Sequence, residues 1–72
     1  MSDLPRDEPR RGIVTEFDAH VGLGTIADDE GTEYLFHCVE IADGSRIVDE
    51  GATVRFSPMR KFGRPEAADI TT

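Results

Sequence analysis

The sequence predicts an all-β fold closed into a small barrel, and three observations carry that prediction. Three short β-type runs, Gly12–Phe17, Val21–Ala27 and Thr32–Val39, follow one another across tight turns at Asp18–His20 and Asp28–Gly31. The runs are rich in Val, Ile and Thr, and turn residues punctuate the chain at short intervals. Gly22 and Gly24 sit one residue apart in the middle run, where glycine ordinarily weakens a strand. Paired in this way they mark a coiled or closely approached strand, as a small barrel needs at its corners. A three-stranded meander cannot bury both faces alone, so the remainder of the chain must close it.

Residues 1–10 hold two prolines and mostly charges, too little apolar surface to offset ordering, which predicts a disordered tail. The folded domain then spans 11–72, with the first strand from about Arg11 to Phe17. In the third run Tyr34, Phe36 and Cys38 alternate with Leu35, His37 and Val39, and both sets are partly apolar, so period alone leaves the inward face open. Val39–Ile41 reads as a short helical turn or bend, and Asp43-Gly44-Ser45 as a turn. Asp49-Glu50-Gly51 leads into a fourth strand, Ala52–Ser57, with Val54 and Phe56 inward and Thr53 and Arg55 outward. Pro58 suits the end or edge of that strand. Arg60-Lys61-Phe62-Gly63-Arg64-Pro65 reads as a basic loop, and Glu66–Thr71 as a last strand carrying Ala68 and Ile70.

Seventy-two residues with 38% apolar content make one domain with a thin core. The net charge is −7, and its distribution says more than its total. No Lys or Arg occurs between Gly12 and Ser45, while that span carries Glu16, Asp18, Asp28, Asp29, Glu30, Glu33, Glu40 and Asp43. A phosphate-binding surface needs cations that release counterions, and the central meander offers none. The run Asp28-Asp29-Glu30 lacks the ligand spacing of a calcium loop and reads as a solvated turn. His37 and Cys38, as strand neighbours, point to opposite faces, and no further ligands complete a metal set. No nucleophile–base arrangement has recognisable context, so neither an enzyme nor a cofactor is expected. The single Cys38 excludes an internal disulfide. The N-terminus has no apolar signal region and no run is long enough to span a membrane, which predicts a cytoplasmic protein.

The order of these motifs resembles the cold-shock domain, a five-stranded antiparallel barrel of the OB-fold type. Gly12-Ile13-Val14-Thr15-Glu16-Phe17-Asp18 stands where that family has G-x-V-K-W-F-N. Val21-Gly22-Leu23-Gly24-Thr25-Ile26 is similar to its first nucleic-acid motif, K-G-F-G-F-I, and Tyr34-Leu35-Phe36-His37-Cys38 to its second, V-F-V-H-F. Val48-Asp49-Glu50-Gly51-Ala52-Thr53-Val54-Arg55-Phe56 resembles L-x-E-G-x-x-V-x-F, and Pro65-Glu66-Ala67-Ala68-Asp69-Ile70 the G-P-x-A-x-x-V close. Positions that shape the barrel are kept: Val14, Gly22, Gly24, Ile26, Ile41, Gly51, Val54, Phe56, Ala67 and Ile70.

Positions where the family stacks aromatics on bases are mostly changed. Glu16 replaces the tryptophan, Leu23, Thr25, Leu35 and Cys38 replace phenylalanines, and Ser45 fills a further aromatic position. Thr15 and Val21 stand in place of lysines. Base–aromatic stacking is worth about 1–3 kcal/mol per base, so losing four platforms removes roughly 4 kcal/mol, or about a thousandfold in affinity.

The resemblance implies a binder of single-stranded RNA or DNA, weak because its stacking face is depleted. Phe17 and His37 would stack, Leu23 and Leu35 would keep aliphatic contact, and Arg60, Lys61, Phe62 and Arg64 would act from the loop. The alternative is a protein-interaction module in which Leu23, Leu35, Tyr34 or Cys38, ringed by acids, meets a basic, apolar partner or a second copy.

Overall fold

The computed structural model describes residues 9–42, 44, 47–61 and 63–72, and in it five strands close in the order β1-β2-β3-β5-β4. They are β1 (Arg10–Asp18), β2 (Leu23–Asp28), β3 (Glu33–His37), β4 (Thr53–Lys61) and β5 (Arg64–Thr71). A 3-10 turn at Cys38–Glu40 follows β3, one residue earlier than the bend expected at Val39–Ile41. Four of the seams are antiparallel, and the fifth, β3 against β5, is parallel at Leu35↔Glu66. The parallel seam is a matter of parity: an odd number of strands cannot alternate direction all the way round a closed ring.

Alternation builds the core. Val14, Ile26, Tyr34, Phe36, Val54, Phe56, Ala67 and Ile70 point inward from the five strands, joined by Ile41 and Val48 from the crossover. This settles the face of β3, since Tyr34 and Phe36 are buried and Leu35 and His37 exposed. At β5 a bulge carries Asp69 into the left-handed region (φ 52). Asp tolerates that conformation better than most side chains.

Several boundaries move for identifiable reasons. Gly22 (φ 78) lies outside the strand: it closes the turn after β1, its N–H donating to Asp18 O at 2.8 Å, so β2 starts at Leu23. Gly31 (φ 86) and Gly51 (φ 88) close the turns expected at Asp28–Gly31 and Asp49–Gly51. β4 runs on through Pro58 to Lys61; among the described residues β1's pairing with β4 ends at Phe56, so Pro58 lies past that seam, as suits a residue without an N–H to give the ladder. The expected basic loop is therefore a hairpin arm, with Arg60 opposite Pro65 and Lys61 opposite Arg64. Of the expected tail, residues 1–8 lie outside the described residues, and Arg10 already belongs to β1. Within the Asp43-Gly44-Ser45 turn only Gly44 is described.

Gly24 is required for a packing reason. A Cβ there would overlap the Phe36 ring and sit 2.8 Å from Glu16 O. Gly24→Ala is expected to cost about 2 kcal/mol, a typical overpacking penalty, read as a lowered urea midpoint with unchanged slope.

Candidate nucleic-acid interface

A bulge in β1 decides which side chains reach the open face of the barrel. Between Val14 and Glu16 the register with β2 slips, leaving Thr15 unpaired, and its Oγ1 donates to Thr25 O at 3.3 Å. Beyond the bulge three rungs cross β1, β2 and β3: Glu16–Thr25–Leu35, Phe17–Gly24–Phe36 and Asp18–Leu23–His37. Opposed residues share a face, and Phe36 is buried, so the middle rung faces the core and the other two face solvent.

This separates the residues expected to act together. Leu23, Leu35 and His37 lie on the outward rungs, whereas Phe17 is on the core-side rung. The Phe17 ring stacks parallel on Phe36 across Gly24, centroids 5.8 Å apart with planes within 1°. It is half-buried, and its N–H donates to Glu50 Oε2 at 3.2 Å. Tyr34, considered for an open face, is buried, and Cys38 is half-buried. His37 caps the 3-10 turn: its Nδ1 accepts from the Val39 N–H at 3.3 Å, which leaves Nε2 as the donor of the neutral ring.

The arm leaves the barrel beside this face, because Glu66 opposes both Leu35 of β3 and Met59 of β4. Arg64 is exposed on it, with Gly63 (φ 76) at its tip. The side chains of Arg60 and Lys61, and all of Phe62, lie outside the described residues. Phe17, Leu23 and Leu35 meet Glu16, Asp18 and Glu50 around one shallow hollow. No described residue lining it is cationic.

Asp28, expected in a solvated turn, is instead buried at the opposite end of β2, its side chain 1% exposed. Oδ1 accepts from the N–H groups of Glu30 and Thr32, both at 2.9 Å. Oδ2 accepts from the Tyr34 hydroxyl at 3.1 Å and faces Arg10 Nη1 at 3.4 Å. Burial by itself pushes this carboxyl up, but the Thr32 and Glu30 N–H bonds, the Tyr34 hydroxyl and the Arg10 charge outweigh it and hold the group below the usual carboxylate range. Burial and the neighbouring carboxylate push the Tyr34 hydroxyl up. Part of the signal was in the sequence: an aspartate opening a turn that glycine closes favours an Asx turn, in which its carboxylate accepts the N–H two residues on, as Asp28 does from Glu30. Among the described residues no group of three or more His, Cys, Asp or Glu is placed to hold a metal, and no helix is long and apolar enough to cross a membrane.

Comparison with known proteins agrees with this architecture. The Drosophila Unr CSD456 structure superposes with a TM-score of 0.76 at 24% identity, over 90% of this chain and 26% of that one. The chain thus spans about a quarter of that structure, and the likeness speaks to the fold. Comparison with curated proteins gives no match. The "'Cold-shock' DNA-binding domain" family matches residues 10–72, essentially the whole barrel. With its five-strand closure, its paired G-x-G and its outward β1–β3 face, the chain belongs to the cold-shock domain family and is a nucleic-acid-binding domain of that type.

Proposed function

We propose that this domain binds single-stranded RNA or DNA, and does so weakly. The observation that carries the proposal is the pair of outward rungs holding Leu23, Leu35 and His37 beside an arm whose sequence supplies Arg60, Lys61, Phe62 and Arg64. Bases would lie on the Leu23–His37 rung and on Leu35, with the exposed part of Phe17 at the edge, while phosphates would meet the arm. The affinity is low because an aliphatic side chain offers contact but no π-face, and because Glu16 and Asp18 repel phosphate from the same face. The family is a nucleic-acid-binding one, not a family of enzymes, and no catalytic role is proposed. The proposed setting is the cytoplasm.

His37→Ala and Phe17→Ala test the reading by anisotropy titration of a labelled single strand. Each is expected to weaken binding about fivefold, the low end of one stacking contact. His37→Ala also removes the acceptor of the exposed Val39 N–H, and Phe17→Ala strips the cover from Phe36, so the fold of both is checked. Unchanged affinity in both, with far-UV circular dichroism intact, would sink the proposal.

A further inference from the structure

We infer that the outward face of β1–β3 also docks an extended segment of a protein partner that carries apolar side chains and lysine or arginine on the same side. The inference stands apart from nucleic-acid binding, because it rests on the carboxylates that a nucleic acid has to avoid.

Two leucines of this face stand open to solvent. Leu23 is 53% exposed and Leu35 44%, on adjacent outward rungs. Val21 and Val39, each 56% exposed, flank the Cys38 N–H to Gly22 O bond that ties the first turn to the 3-10 turn. Isolated exposed aliphatics are ordinary, but Leu23 and Leu35 are diagonal neighbours on one face with two more exposed valines in the adjoining turns, and such clustering marks a contact surface.

Charge then selects the occupant. The hollow between Leu23, Leu35 and Phe17 is rimmed by Glu16, Asp18 and Glu50. A lysine or arginine fits both parts at once, laying its methylene stem along the leucines and presenting its head to the carboxylates. A second copy does not fit: it would bring another net charge of −7 and, in a two-fold contact, the same three acids against themselves. A strand-like partner points every second residue to one side, roughly 6–7 Å apart, so an apolar residue and a lysine two positions apart both reach this face, at the step between successive outward side chains of β2 and β3.

The test uses two fluorescein-labelled nine-residue peptides of equal charge, one in which lysine and valine take turns at every second position with serine between, so that both share one side, and one with serine in place of each valine, titrated at about 0.15 M ionic strength, where long-range attraction is screened. The lysine–valine peptide is expected to bind about tenfold more tightly than the lysine–serine peptide, the effect of roughly 60 Å² of apolar contact. The double variant Leu23→Ser with Leu35→Ser should erase that difference. Glu16→Gln with Asp18→Asn should weaken both peptides while keeping the preference for valine. All four changes are on exposed side chains, and circular dichroism checks that the barrel persists. Equal binding of the two peptides, or a valine preference that survives loss of both leucines, overturns the inference. So does a concentration-dependent dimer in sedimentation that Leu35→Ser abolishes, which would assign the face to a second copy. No nucleic acid is present, so failure here and failure of the single-strand titration are read independently.

Discussion

Replacing Glu16 by Trp, Leu23 by Phe and Leu35 by Phe together is expected to raise affinity for a short pyrimidine strand about a hundredfold. The three positions lie on the two outward rungs, so the new rings would face solvent without entering the core. Three stacking platforms at the low end contribute about 3 kcal/mol, or roughly 150-fold, from which the aliphatic contact already present is subtracted. Removing Glu16 also takes a negative charge from the face, so part of the gain should persist at higher salt and part should not. Anisotropy titration of the triple variant beside the natural chain reads the effect. A folded triple variant with unchanged affinity would mean that bases do not lie on this face at all.

Asp28→Ala is expected to destabilise the barrel by about 3 kcal/mol, because two backbone N–H groups and the Tyr34 hydroxyl lose their acceptor in a place water reaches poorly. The exposed Arg10 adds little to that figure, since its head regains solvent. Asp28→Asn should cost less, as its amide oxygen still accepts from Glu30 and Thr32. The same contacts make an acid-dependent term. The folded carboxyl titrates below its unfolded value near 3.9, so its contribution is complete above that pH and is lost as pH falls through the folded value. Urea midpoints of the natural chain and of Asp28→Asn should therefore converge as pH falls below about 3.9 and through the lower folded value. Comparing the two chains cancels the other carboxylates, whose protonation relieves the net charge of −7 and works in the opposite direction. A constant gap across that range would show that Asp28 carries no net charge-dependent stabilisation.

Much of the fold was legible because local chemistry and long-range closure agree. Gly31 and Gly51 end turns that hydrophobic runs already bracket, and Val14, Ile26, Val54, Phe56 and Ile70 fall inward at strand spacing. The site was less legible, and the reason is one residue. Strict alternation from Val14 puts Glu16 inward and Phe17 outward; the bulge at Thr15 reverses both. The sequence carries a trace of it, two polar residues in succession followed by an aromatic, but period alone does not distinguish a bulge from a strand end. The hairpin arm was hidden differently. Pro58 signalled an edge, and only the point at which β1's pairing stops tells an edge from an end. The parallel β3–β5 seam has no local signal, since it follows from closing five strands.

The most direct measurement is an anisotropy titration of a labelled dT heptamer with the natural chain at low and moderate salt. Saturable binding at micromolar levels is expected at low salt, some thousandfold weaker than a fully aromatic face would give. If Arg60, Lys61 and Arg64 are the phosphate contacts, the slope of log affinity against log salt should be about −2. No binding at high protein concentration in low salt would contradict the account, and would mean that this barrel keeps the form of a nucleic-acid face without the activity.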